Sequence, residues 1–263
     1  MKRLAVLGYP VAHSRSPAMQ NAALAELGLG DEWRYEAIEV APDRFEARVR
    51  AMAGEGFVGA NVTVPHKSAA LALADSLSET AREIGAANTL SFAGGEIRAE
   101  NTDAQGLLDA LPEPPNGARA LVLGAGGAAR AIVWALLREG AEVEVWNRTE
   151  LRSRHLCEEL GGTPVRSPSV PDHGIVVNST AVGLHGEDPF AELPLVAGFT
   201  ADQVVVDMVY GAEPTALLRA AEAAGARTVD GLEVLVRQGA HSLRLWTSRE
   251  APLDTMRAAL IDK

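Results

Sequence analysis

The sequence predicts an α/β fold in two domains, and three observations predict it. A short apolar run, Ala120 to Leu123, breaks at glycines and resumes as the helical pattern Ala128 to Arg138, the strand, tight turn and helix of a βαβ unit. A second strand, Ala141 to Trp146, then ends about 20 residues past the glycines, where such units meet a ribose. Pro112-Glu113-Pro114-Pro115-Asn116-Gly117, the most linker-like stretch of the chain, stands just before the glycine unit. At 263 residues there is room for two modest cores. Together these describe an N-terminal α/β domain and a Rossmann-type dinucleotide-binding domain.

Taken in order, Leu4 to Gly8 is a short buried strand. It enters a loop rich in hydroxyls and turn residues, Tyr9 to Pro17. Pro17 suits the first turn of a helix that runs to Leu27 and stops at Gly28. Ser14 and Ser16 beside that helix start can donate to a small anion, and can equally be plain N-caps. Trp33 to Val40 has strand composition, Pro42 opens a helix ending near Gly54, and Phe57 to Val64 is a second β-rich run. Alternation there puts Asn61 and Thr63 on one face. Pro65 ends the strand and Ser68 to Ala74 reads as helix. Asn61, Thr63 and Lys67 therefore project from a strand end and the turn after it, where open α/β sheets place ligands. A polar strand edge with a solvated lysine fits the same spacing.

Ser78 caps a helix to Ile84. Gly85-Ala86-Ala87-Asn88-Thr89-Leu90 begins a hairpin that turns at Gly94-Gly95 and returns to Asn101-Thr102-Asp103, where Asp103, taken alone, reads as the cap of a helix from Ala104 to Leu111. In the glycine unit Gly124 permits the turn, Gly126 lets backbone approach a pyrophosphate, and Ala129 allows close helix-to-strand packing. The free N–H groups opening the helix would face the diphosphate.

The next strand end decides the cofactor. An NAD site places an acidic residue there, to accept from the ribose 2′-OH. Here Glu144 lies two residues inside the strand, and the tip carries Asn147-Arg148-Thr149, with Arg152 and Arg154 one turn on. Guanidinium groups fit a 2′-phosphate bidentately, at roughly 1.5–3 kcal/mol for each charged hydrogen bond. A solvated helix start is the other reading, but basic residues at a helix N-terminus oppose its dipole. The cofactor reads as NADP.

Beyond it, Thr163 to Arg166, Gly174 to Val177, Gln203 to Met208 and Arg227 to Val229 read as strands, with 184–200 irregular and a helix from Pro214 to Gly225. Asp230-Gly231 leads into a helix past Trp246, and another follows Pro252. Coming after the nucleotide strands are spent, these helices are expected to return to the first domain.

Composition narrows the function. A net charge of −11 argues against nucleic acid or an anionic membrane as partner. Cys157 is the single cysteine and the six histidines are scattered, so neither a disulfide nor a metal site is expected. No Gly-x-Ser-x-Gly elbow points to a serine hydrolase. No apolar run approaches the ~20 residues of a membrane span, and Met1-Lys2-Arg3 leads straight into a strand without a signal-peptide core, so a cytoplasmic location is expected. Of 24 basic residues only Lys2, Lys67 and Lys263 are lysine. Arginine cannot give up a proton at working pH, so Lys67, the interior amine, is a candidate for proton chemistry.

The segments GYPVAHSRSP, NVTVPHK, GAANT, NTD, GAGGAAR, NRT, DMVYGAEPT and DGLEVLVRQGA, in this order and over nearly the whole chain, resemble the shikimate dehydrogenase family. The resemblance implies NADP-dependent reversible reduction of 3-dehydroshikimate to shikimate, by a monomer or homodimer acting on small molecules. It implies that Ser14 and Ser16 bind the substrate carboxylate with Thr63 and Tyr210 nearby, and that Asn61, Asn88, Asp103 and Gln238 hold ring hydroxyls. Lys67 and Asp103 would be the catalytic pair. Gly124, Ala125, Gly126, Gly127 and Ala128 would cradle the diphosphate, Asn147, Arg148, Thr149 and Arg152 would read the 2′-phosphate, and Gly231 would lie by the cofactor. Residues 1–102 and 239–263 would form the substrate-binding domain and 103–238 the NADP-binding domain. The chain departs from the family pattern at Gln20 (often histidine), Asn178-Ser179-Thr180-Ala181 (Asn-Ala-Thr-Ser), Ala212 (proline) and Val234 (methionine). A quinate/shikimate dehydrogenase accepting NAD, and a non-catalytic NADP-sensing protein on the same scaffold, are the alternatives.

Overall fold

The structure, a computed structural model, describes residues 1–184, 186–195, 198–211 and 213–261, so Ala212 and Lys263 lie outside the described residues. It divides into two compact units, Met1–Gly106 with Leu235–Lys263, and Leu107–Val234. The boundaries fall at 106/107 and 234/235 rather than at 102/103 and 238/239, which places Asp103 and Gln238 in the first unit.

The first unit begins β1 (Lys2–Gly8), α1 (Ser16–Glu26), β2 (Trp33–Glu39), α2 (Phe45–Met52), β3 (Phe57–Val62), α3 (Lys67–Leu73), β4 (Ser76–Leu77), α4 (Glu79–Ile84), β5 (Thr89–Ala93), β6 (Glu96–Glu100) and the first turn of α5 (Asp103–Ala110). Its sheet has the order β2-β1-β3-β5-β6-β4. β1 pairs in parallel with both neighbours, and its Leu4 to Leu7 are buried, as a strand covered on both faces requires. The β5–β6 hairpin pairs antiparallel with β3, so the C-terminal end of β3 and the N-terminal end of β5 lie side by side, with Asn61 opposite Thr89. Phe45, Val49 and Met52 of α2 pack over Ala5, Leu7, Ala60, Val62 and Leu90 to form the core. Each of the larger side chains among these contributes roughly 1.5–3 kcal/mol.

In the second unit the elements are β7 (Arg119–Leu123), α6 (Gly127–Arg138), β8 (Glu142–Trp146), α7 (Glu150–Leu160), β9 (Thr163–Val165), β10 (Ile175–Asn178), α8 (Pro189–Glu192), β11 (Val204–Asp207), α9 (Ala216–Ala223) and β12 (Arg227–Val229). The chain then enters α10 (Gly231–Thr247), which carries it back to the first unit, and ends in α11 (Leu253–Ile261). The sheet is parallel throughout, in the order β12-β11-β10-β7-β8-β9, the strand order of the doubly wound dinucleotide-binding fold. Its direction of winding reverses between β7 and β10, and the glycine turn sits at that switch point. The return of the C-terminal helices is as expected: α11 packs on α1.

Candidate functional site

Lys67 opens α3 directly after Pro65-His66, and Asp103 opens α5. Their side chains meet, with Nζ 2.6 Å from Oδ2 and only 13% and 8% exposed. Asp103 does not cap α5. Asn101 does, its Oδ1 accepting from the backbone N–H of Asp103 at 3.0 Å and, more weakly, of Ala104 at 3.4 Å. That leaves the Asp103 carboxylate at a helix N-terminus, a favourable end for a negative charge, with both oxygens available to other groups.

One of those oxygens is taken from behind. Asn88 Nδ2 donates to Asp103 Oδ1 at 2.7 Å and to Gln238 Oε1 at 3.2 Å. The Asn88 carbonyl oxygen accepts from the Thr102 backbone N–H at 2.7 Å and from Thr89 Oγ1 at 3.0 Å, which fixes the way its amide points. Gln238 reaches this cluster because α10 crosses α5 at Gly106. A Cβ there would stand 2.7 Å from the Gln238 backbone nitrogen. Asn61 Nδ2 bonds Ser242 Oγ at 2.8 Å and Thr89 Oγ1 at 3.1 Å, so all these amides belong to one buried network.

Ser14 and Ser16 lie in the same unit at the start of α1, where Arg15 is the N-cap and no side chain caps the helix. Ser14 Oγ accepts the Ser16 N–H at 3.3 Å. Arg15 between them donates from Nη1 to the Leu260 carbonyl at 3.2 Å, tying this loop to the end of α11. Thr63 follows β3, its methyl turned onto Gly8, and its hydroxyl makes no hydrogen bond among the described residues. The structure brings Lys67, Asp103, Asn88, Asn61 and Gln238 together. It shows no hydrogen bond from the serines to that cluster, and Tyr210 and Gly231 belong to the other unit.

In the second unit Gly124 takes φ +118°, which favours glycine, and a Cβ would stand 2.6 Å from Ser179 Oγ. Ser179 in turn donates to the Leu123 carbonyl at 2.8 Å, so the departure from alanine at this position ties β10 to β7. Gly126 is the N-cap of α6, exposed, with nothing within 4 Å of a Cβ. Ala125, Gly127 and Ala128 beside it are half-buried. Past β8, Asn147 Nδ2 donates to the Thr149 carbonyl at 2.9 Å, shaping the turn. Arg148 and Arg152 are exposed and form no ion pair among the described residues, whereas Arg154 and Arg166 both pair with Glu150. Arg166 foremost, then Arg154, holds the Glu150 carboxyl below its ordinary value. Glu144 faces Arg119 and His173.

At the other end of the switch, Asp207 accepts from Asn178 Nδ2 at 2.9 Å and Thr215 Oγ1 at 2.6 Å, and burial pushes its carboxyl up against those bonds. Tyr210 lines a cavity of about 280 Å³ with Asp207 and Thr215. Gly231 lets α10 start hard against β11, since a Cβ would stand 2.6 Å from the Met208 carbonyl. Val234 is buried in the core of this unit.

These residues fit a dinucleotide: an open glycine turn, free N–H groups at the start of a three-turn helix, and two unpaired guanidiniums with no acidic group at the strand tip. Thr89, Thr102, Ser242 and Tyr35, which orient the amides, went unread in the sequence. The spacing of Ser242 four residues after Gln238, one helical turn, is the single signal that could have pointed to them.

A doubly wound nucleotide unit, joined in one chain to an α/β unit holding a buried amine–carboxylate pair, defines a two-domain α/β dehydrogenase. Residues 6–90 match the model of the shikimate dehydrogenase substrate binding domain, 109–182 that of shikimate / quinate 5-dehydrogenase, and 231–261 that of the shikimate 5'-dehydrogenase C-terminal domain. The chain belongs to the shikimate dehydrogenase family. It is 44% identical to the shikimate dehydrogenase (NADP(+)) of Methanopyrus kandleri, over 98% of this chain and 94% of that one. Among solved structures it is similar to shikimate dehydrogenase of Aquifex aeolicus, with TM-score 0.91, 36% identity and coverage of 100% and 98% of the two chains. It is likewise similar to shikimate 5-dehydrogenase of Thermus thermophilus in complex with NADP(H) and shikimate, with TM-score 0.90, 43% identity and 98% of each chain covered.

Proposed function

We propose that this protein is a shikimate dehydrogenase: it interconverts 3-dehydroshikimate and shikimate with NADP, as a monomer or homodimer in the cytoplasm. Among the described residues no helix is long and apolar enough to cross a membrane, which fits that setting. The single observation that carries the reading is the buried Lys67–Asp103 pair, with Asp103 steadied by Asn88, in a chain of this family. Met1–Gly106 with the C-terminal helices is the substrate-binding part, and Leu107–Val234 holds the cofactor.

When bound, the reduced nicotinamide supplies a hydride, a proton with two electrons, to the ring ketone carbon. The Lys67 ammonium meets the ketone oxygen as it gains negative charge and transfers a proton to it, closing the alcohol. Such general-acid help is worth typically ~10²–10⁴-fold. Asp103 orients the ammonium and accepts from the neighbouring ring hydroxyl. In oxidation, neutral Lys67 takes the hydroxyl proton back. Ser14 and Ser16, with Thr63 and Tyr210, bind the carboxylate, and Asn61, Asn88 and Gln238 hold the hydroxyls. Gly124 to Ala128 cradle the diphosphate beside Gly231, and Asn147, Arg148, Thr149 and Arg152 take the 2′-phosphate. Mixing protein, shikimate and NADP⁺ and following NADPH absorbance tests the whole reading. No absorbance with shikimate, at any pH between 6 and 10 or so, would overturn it.

A further inference from the structure

Asn61 is held differently from the other amides of the site. Tyr35, in the middle of β2 and buried, places its hydroxyl 2.7 Å from Asn61 Oδ1. On the other side of the amide, Asn61 Nδ2 faces the Asn88 backbone carbonyl at 3.3 Å, together with Ser242 and Thr89. A backbone carbonyl can only accept, so that side must be the NH₂ group. The carbonyl oxygen is then turned to Tyr35, and the phenol must donate. Turning the amide over would set oxygen against oxygen at Asn88. Tyr35 itself has no freedom to follow a shift in Asn61. Asn21 of α1 clamps its backbone on both groups, at 2.9 Å to the N–H and 2.8 Å to the carbonyl, and its ring lies 6.2 Å from that of Trp246.

The consequence lies in what Asn61 has left to offer. Its two amide protons serve acceptors within the protein, and among the described residues Tyr35 is the sole donor to Oδ1. A carbonyl oxygen has two lone pairs, so one remains. We infer that Tyr35 is a positioning residue: by fixing the Asn61 amide it makes this position an acceptor, which selects a ring hydroxyl that donates. This rests on the proposed contact of Asn61 with substrate.

Tyr35→Phe removes the hydroxyl and keeps the ring, so the core stays filled. KM for shikimate should rise roughly three- to tenfold, the scale of one neutral hydrogen bond. Turnover, KM for NADP⁺ and the pH profile should stay within about twofold. Ser242→Ala, which frees the opposite side of the amide, should give the same KM-only change. In an Asn61→Ala background Tyr35→Phe should add nothing, because the group it positions is gone. Among deoxy analogues of shikimate, the one lacking the hydroxyl that Asn61 holds should not notice the change. An unchanged KM, or an equal rise in the Asn61→Ala background, overturns the inference. If wild type does not oxidise shikimate, the functional reading fails by itself. The Asn61 side-chain amide signal, assigned by its loss in Asn61→Ala, then decides the positioning: it must shift and lose protection in Tyr35→Phe, and a signal that stays put overturns it.

Discussion

In the proposed reaction Lys67 carries the proton chemistry, and arginine at its place separates proton transfer from charge. Lys67→Arg keeps a cation beside Asp103 but offers a poor proton donor whose fork misplaces the ketone. Turnover should fall at least ~100-fold, while shikimate affinity changes by less than about tenfold. Stopped-flow rates and ligand titration check the two halves separately. The rise of shikimate oxidation with pH expected of wild type should be missing in the variant. Retained turnover would reduce the lysine to an electrostatic anchor. For the cofactor, Arg148 and Arg152 replaced together by neutral residues should weaken NADPH binding by about 30- to 1,000-fold, ~2–4 kcal/mol, and leave NADH nearly untouched. Equal losses for both cofactors would remove the 2′-phosphate from these side chains. His66, next to Lys67, sets a pH limit on the fold. It stacks on Phe45 at 4.3 Å between ring centres, and its Nε2 lies 2.7 Å from the Val40 carbonyl. Burial is the larger influence and lowers its pKa, the Val40 bond opposing it. The folded protein therefore binds that proton less readily than the unfolded chain, and stability is lost as pH falls through the histidine range. Denaturation midpoints between pH 8 and 5 should show the decline, and His66→Gln should flatten it while lowering the plateau.

At the scale of elements, what was legible depends on how locally each element is determined. The β7–α6–β8 unit reads directly from sequence because its turn requires glycine at Gly124, β7 is apolar from Ala120 to Leu123, and β8 alternates charged and apolar residues. β4, two residues long, and α8, four, are too short to show a period. At Asn101-Thr102-Asp103 all three residues are of types that cap helices. Only the arrival of Lys67, 36 residues away in the chain, decides that Asn101 caps and Asp103 does not. The hydroxyls that steer Asn61 and Asn88 were not legible for the same reason: Ser242 reaches Asn61 across 181 positions. What brings it there is the docking of α10 on the first sheet, and Gly59 makes that docking possible. A Cβ at Gly59 would stand 2.1 Å from Trp246 Nε1 and 2.5 Å from the Leu90 carbonyl, the acceptor of that indole's hydrogen bond. Gly59→Ala should destabilise the fold by about 2–3 kcal/mol, an overpacking effect, and should loosen the amide network with it. Urea denaturation measures the first effect and KM for shikimate the second. A variant as stable as wild type would show that α10 can shift without cost.

On the scale of the whole molecule, the two units differ in how they are written along the chain. Leu107–Val234 is continuous and has its own core, whereas the first unit is assembled from Met1–Gly106 and the segment from Leu235 onward. A fragment of residues 107–234 should melt cooperatively by circular dichroism. A fragment of residues 1–106 should not, for it lacks Trp246 over the sheet and Gln238 beside Asn88. A cooperative transition in the shorter fragment would mean that the sheet needs no help from α10.

The interruption also bears on the order in which the chain matures during synthesis. The sheet under the helix that carries Lys67 is made early, yet the helix that closes over it follows the whole of the inserted unit, about 130 residues later. At the usual pace of translation this is a wait on the order of 7–25 s. Through that interval Gly59 and the hydroxyl-bearing face around Thr89 stand uncovered, while the nucleotide-binding unit, contiguous in sequence, can already complete itself. The part of the protein that begins first finishes last. Nascent chains arrested before Leu235 should therefore resist protease over residues 107–234 and be cut within residues 1–106.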